Sequence, residues 1–390
     1  MSAIQSLLSV SNRTYSFSQT RFGSYFHFHF HFLLLLLTTV LLASCAAPVK
    51  KEQTGPIFYP PLPNPPRLQY LATFTSASDV AASSGFKAFL LGGRTEATSL
   101  VVKPYGVAMY DGAIYVVDTR GNGYGVFDLR NKKAFTVRGS GAGRMVKPIN
   151  ITIDQDGTKY ITDTGRNQIL VFNAKDKFIR AYGIKDQFKP SDVASVGDKL
   201  FVADLKNHHI QVLSKQSGDV LYNIARGGQK EGELFYPTNI EVDADGYLHV
   251  SDTGNFRIQK FTLDGKFVSS YGVVGSGLGQ FARPKGIAVD HLGRRYIIDA
   301  AFENVQIIDT DGELLLFFGG PGADRDSINL PTDIEIDYDN VTLFQKYADP
   351  KFKLEYVILV ASQFGFNKVN VYGFGKMEGM DYEEEIKSLQ

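Results

Sequence analysis

Residues 240–261 read Ile-Glu-Val-Asp-Ala-Asp-Gly-Tyr-Leu-His-Val-Ser-Asp-Thr-Gly-Asn-Phe-Arg-Ile-Gln-Lys-Phe. Apolar side chains alternate at 240–242 and return at 258–261, the period of two that marks half-buried strands. Asp245-Gly246 lies between the first two strands and supplies the positive φ of a tight hairpin. The second strand ends in Asp252. Asp264-Gly265 forms a second hairpin, and a fourth strand ends at Tyr271-Gly272. Four antiparallel strands in succession make one blade of a propeller.

The same unit recurs along the chain. A proline, then Gly, Asn or Asp two residues later, then a branched apolar residue, occurs at Pro104, Pro148, Pro190, Pro237, Pro284 and Pro331, at intervals of 44, 42, 47, 47 and 47 residues. The aspartate that ends the second strand recurs as Asp118, Asp163, Asp204, Asp252 and Asp299, and the sixth unit has Ser362 in its place. Six such units predict an all-β fold, a six-bladed β-propeller of four-stranded antiparallel blades. The sixth unit carries an insertion near 342–353 and has no fourth strand after 369–374. Residues 67–75 are a lone strand ahead of the first unit, and they are expected to supply the missing strand and close the ring. Closure removes two exposed sheet edges.

The quoted run resembles an NHL repeat nearly throughout, and the likeness extends over about 310 residues, 67–376. Among proteins with such repeats, peptidyl-hydroxyglycine lyases hold zinc with histidines four residues after the repeated aspartate. Those positions here are Asn122, Asn167, His208, Phe256 and Glu303. One histidine falls short of the three converging protein ligands that zinc needs. A Pro-rich segment leading into Arg-Leu-Gln-Tyr-Leu at 67–71 is similar to that of NHL lipoproteins of metal-reducing bacteria, found near multihaem cytochromes. The resemblance implies a c-type cytochrome of an extracellular electron-transfer system as partner.

Composition bounds the rest. Forty-one basic and 41 acidic residues cancel, so no whole-protein field gathers nucleic acid, and no nucleic-acid partner is expected. A single cysteine excludes an internal disulfide and a Cys-x-x-Cys-His haem attachment site. Residues 32–42 form an apolar run too short to span a bilayer, preceded by Arg13 and Arg21, which fits a signal peptide. Leu42-Ala43-Ser44-Cys45 looks like a lipobox, making Cys45 the lipid attachment point. His27, His29 and His31 lie within the leader and are not read as metal ligands. Residues 46–66 carry seven prolines and read as a stiff polyproline II spacer. The expected organisation is a lipoprotein signal peptide over 1–45, a Pro-rich linker over 46–66, a propeller over 67–376 and an acidic tail over 377–390. The chain is expected to be exported and lipid-anchored at a membrane, the outer membrane for preference, and to be monomeric.

Two candidate sites follow from the repeat. Loops joining strands two and three share one face with the loops joining blades, and there Arg120, Arg166, Lys206, His208 and Arg257 are read as a partner-binding face. The hairpins of the opposite face carry Asp111, Asp154, Asp243, Asp245, Asp290 and Asp311, which also suit turn geometry. The residues two after each blade proline are Gly106, Asn150, Asp192, Asn239, Gly286 and Asp333. Of these, Asn150, Asp192, Asn239 and Asp333 are read as a ligand site at the channel mouth, although backbone capping and channel water select the same residue types. Gly275, Gly277 and Gly279 lack the helix a phosphate loop requires. No catalytic residue, metal ligand or cofactor is assigned. The sequence predicts a protein- or ligand-binding scaffold, with a metal-dependent lyase or lactonase-type hydrolase at the channel mouth as the alternative.

Overall fold

A computed structural model describes residues 55–80, 99–183 and 187–382. Contacts separate residues 1–52 from 53–390, and the second unit holds all that follows. The lipobox with Cys45, the leader histidines and the end of the acidic tail lie outside the described residues. No helix among the described residues is long and apolar enough to cross a membrane.

Twenty-five strands, β1 to β25 in chain order, form six antiparallel sheets. Five sheets are complete four-stranded blades with consecutive strands as neighbours. Their first, innermost strands are β3 (Pro104–Tyr110), β7 (Pro148–Ile153), β11 (Pro190–Val196), β15 (Pro237–Val242) and β19 (Pro284–Val289). Each opens on the repeated proline, whose missing N–H costs nothing at a strand start. The hairpin glycines take the left-handed backbone their turns require, as at Gly246 (φ 80°) and Gly265 (φ 97°). Apolar residues from facing sheets fill the space between blades. For example, Phe201, Val212 and Ile224 of the third blade pack with Ile240, Leu248 and Phe261 of the fourth.

The sixth blade is spliced from both parts of the chain. Its sheet runs in the order β1 (Ile57–Tyr59), β2 (Leu68–Phe74), β25 (Val369–Met377), β24 (Phe352–Phe364), β23 (Asn329–Asp337). The lone strand over 67–75 therefore closes the ring, pairing Leu68 with Phe374 and Phe74 with Val369. The insertion near 342–353 forms a short helix, Val341–Phe344, followed by a 3-10 turn. One expectation is corrected. Residues 57–59, expected to belong to the polyproline II spacer, form a strand instead: Ile57 and Phe58 are buried and pair with Tyr70 and Gln69. The prolines cluster at 60–66, after this strand, and so spare its ladder.

Candidate functional site

The repeated aspartates are staples of the loop face. Asp163 is fully buried and accepts from the backbone N–H of Val146 (2.7 Å), Lys147 (2.9 Å), Gly165 (3.0 Å) and Arg166 (3.0 Å). It thus ties the loop entering a blade to the loop between that blade's second and third strands. Asp118 holds Val102, Lys103, Arg120 and Gly121 in the same way, and Asp299 holds Ala282, Arg283, Ala301 and Phe302. A buried carboxylate is stable when several N–H groups compensate it. In the sixth blade Ser362 replaces the carboxylate, and its hydroxyl oxygen has no partner.

The positions four residues after the aspartates are turn residues. Asn122, Asn167, His208, Phe256 and Glu303 all adopt a left-handed backbone, with φ between 54° and 58°. The conserved demand here is conformational, and no histidine set converges. His208 accepts a hydrogen bond from the Tyr236 N–H at Nδ1 (3.1 Å) and packs against the rings of Phe235 and Tyr236, which also touch each other.

The expected basic face divides in two. Arg166 turns inward and donates to the carbonyls of Ala142 (2.7 Å) and Arg144 (2.8 Å), and Arg257 donates to Asp252 and to the carbonyls of Lys230 and Glu233. Their guanidinium groups hold loops. Arg120 and Lys206 are exposed, as are Arg144, Lys147, Lys189 and Arg283 nearby. Sequence reasoning missed a second property of this face. Exposed large apolar residues gather on its loops: Val102, Val146, Tyr236, Val273, Val274, Leu278, Phe364 and Phe366, the last 86% accessible. Among the described large apolar residues, the loops of the opposite hairpin face expose Leu62 and Leu292. Its aspartates are largely paired, Asp111 with Arg130, Asp154 with Lys215 (2.8 Å), Asp243 with Lys260 (3.2 Å) and Asp290 with Arg294 (2.5 Å).

The axial channel brings Asn150, Asp192, Asn239 and Asp333 together, all buried. Asn239 Nδ2 donates to Asp333 Oδ1 (3.1 Å), and the Asn150 side chain also bonds Asp333. Each of these contacts passes over an intervening blade, and those blades carry Gly106 and Gly286 at the ring position. A Cβ on Gly106 would lie 2.0 Å from Asn150 Oδ1, and one on Gly286 would lie 2.7 Å from Asp333 Cα. The glycines are the clearance that lets the amides reach across. The carboxylates also cap backbone of the next blade: Asp333 accepts from Val107 N–H (3.0 Å) and Asp192 from Ile240 N–H (2.8 Å). The capping expected as one reading of these residues is therefore present.

Two residues further toward the hairpins the channel widens into a cavity of about 210 Å³, lined by Ala108, Thr152, Ala194, Glu241 and Glu335 with apolar neighbours. Burial first, then the Asp333 charge, pushes Glu241 up to about 8, while burial raises Asp333 to about 7. Burial and the Glu241 charge push Glu335 well above the usual carboxylate range, and burial with the Asp333 charge does the same for Asp192. Among the described residues, no three His, Cys, Asp or Glu side chains form a group able to hold a metal ion.

Fold and site define a six-bladed propeller with a stapled loop face and an acidic axial channel. No family model matches the chain. A stretch of 55 residues is 42% identical to the RING finger protein nhl-1 of Caenorhabditis elegans; it spans 14% of this chain and 6% of that protein. The fold is similar to a gluconolactonase from Xanthomonas campestris, at 14% identity over 84% of this chain and 98% of the other, with a TM-score of 0.54. A Bacteroides thetaiotaomicron protein of unknown function matches at 18% identity over 71% of this chain and 70% of its own, also with a TM-score of 0.54. At such identities the likeness speaks for the propeller fold alone.

Proposed function

We propose that this propeller is a membrane-tethered docking module that binds a protein partner through its loop face and catalyses no reaction. The observation that carries this reading is the segregation of exposed apolar side chains to that face, among cations without acidic partners. Among the described residues no ion pair joins Arg120, Arg144, Lys147, Lys189 or Arg283 to an acid. Exposed apolar groups rimmed by one sign of charge are the composition of a docking surface for a partner of opposite charge. Cys45 would carry the lipid that tethers the propeller to a membrane. An acidic multihaem c-type cytochrome of an extracellular electron-transfer system is the partner the sequence resemblance favours. The lyase or lactonase alternative rests on fold likeness, without an assembled set of reactive groups at the channel mouth.

Photo-crosslinking tests the reading. A benzophenone side chain at position 366, on the loop face, is compared in intact cells with one at 292, on the hairpin face. A haem-stained adduct formed from 366 and absent from 292 is expected. Equal adducts from both positions, or none from 366, would defeat the assignment.

A further inference from the structure

We infer that the axial cavity is a binding site for a small aliphatic ammonium ligand, best satisfied by a short diamine. The argument rests on which hydrogen-bonding groups the cavity leaves open. Of its two hydroxyls, Thr152 donates to the Val193 carbonyl and Ser195 donates to Asp154, so both protons are already committed. No lysine, arginine or histidine lines the cavity. What remains is the carboxyl pair of Glu241 and Glu335, protonated in the empty cavity, for which the described residues supply no hydrogen-bond donor; an ammonium would take the place of the two protons.

The ring above the cavity keeps one further open acceptor, which does not itself line the cavity. The Asn239 amide turns its nitrogen to Asp333, and its oxygen is buried in the channel without a partner. Asn239 is 1% exposed, so water from outside does not satisfy that oxygen. A ligand that takes the place of the two glutamate protons must be positively charged and bring donors alone, which is the hydrogen-bonding inventory of an ammonium group.

The walls set the rest of the ligand. Met109, Ile153, Val193 and Val242 give it apolar contact for a short methylene chain, and Ala108 and Ala194 leave room opposite the glutamates. A volume of about 210 Å³ lies below the roughly 300–1,000 Å³ of sites for drug-sized ligands, which limits the occupant to a few carbons. A single chelated metal is the poorer match, because among the described residues no third His, Cys, Asp or Glu joins the two glutamates in a metal-holding group.

Titration calorimetry of the full chain in detergent with 1,4-diaminobutane tests the inference, with 1-butanol and calcium as comparisons. One diamine per chain is expected to bind and to raise the melting temperature, whereas butanol does neither. Glu241→Gln and Glu335→Gln should each weaken diamine binding at least tenfold. Both variants should fold, since glutamine is close in size and shape to the protonated glutamate it replaces. Absence of diamine binding to the wild-type chain overturns the site. So does calcium binding that the diamine fails to displace, or diamine affinity unchanged in both variants. None of these outcomes bears on docking at the loop face.

Discussion

Asn239 of the fourth blade donates its side-chain amide to Asp333 of the sixth at 3.1 Å, over a fifth blade that carries only Gly286 at the same level. The contact fixes the channel's shape, because the ring narrows there and opens below it. Replacing the glycine is expected to break it: in Gly286→Val the side chain would enter the space of the Asp333 backbone, and melting should fall by several degrees. Ala108→Val, on the wall of the wider cavity, serves as the comparison.

The channel carboxylates make stability depend on pH. Glu241 is raised from 4.5 to about 8 and Asp333 from 3.8 to about 7, so the folded state holds protons the unfolded state has released. Their contribution is complete at low pH and is lost as pH rises toward the folded values. Between about pH 5 and 7 each such group should lower stability by about 1.4 kcal/mol per pH unit. Asp192 and Glu335 face the same charges and move with them, whereas Asp243, whose charge also acts on Glu241, is itself lowered. Denaturant midpoints at several pH values, without amine, should show this decline, and Glu241→Gln should flatten it. A midpoint that is constant from pH 5 to 8 contradicts the assignment.

The loop staples predict a contrast between blades. Asp163→Ala leaves four backbone N–H groups without their acceptor and should cost about 2–4 kcal/mol. Ser362→Ala removes a hydroxyl oxygen that bonds nothing and should cost less than about 1 kcal/mol. Urea denaturation of the two variants measures the difference directly.

Truncation separates the tether from the ring. Removing residues 46–54 should leave melting unchanged. Removing 46–66 also deletes the paired strand Ile57–Tyr59 and should lower it, and removing 46–75 opens the ring and should lower it most. Equal melting for the last two would mean that closure contributes nothing.

Charge reversal at the loop face should sort its cations by direction. Arg120→Glu with Lys147→Glu is expected to slow association with the crosslinked partner and to reduce its salt dependence, with melting nearly unchanged. Arg166→Glu should instead lower melting, because that guanidinium bonds the carbonyls of Ala142 and Arg144.

The repeat was legible because it rests on local rules. Alternating apolar residues, Asp-Gly hairpins and the proline at each first strand are all set by neighbours in sequence, and they located every blade, the closing strand and the stapling aspartates. The directions of long side chains were not legible. Arg166 and Arg120 occupy matching loops, yet one folds onto backbone carbonyls and the other is exposed, and only the loop's path decides between them. The ring likewise read as four polar residues with two gaps, while the gaps turn out to be the clearance for Asn150 and Asn239. Glu241 and Glu335 went unremarked, since an alternating strand gives no sign that its inward positions face a cavity. The strand at 57–59 was hidden by the prolines that follow it.

The splice in the sixth blade also governs when the protein can become a protein. Leu68 finds Phe374 across 305 residues of intervening chain. A nascent polypeptide that has not yet produced Val369–Met377 cannot join Leu68–Phe74 to the last blade, so no amount of waiting lets the circle form. Synthesis is thus nearly finished before the last seam can be sewn. A chain drawn through a membrane pore while still growing would pass as open blades, and it would become a closed body only after its final strand arrived on the same side as its first.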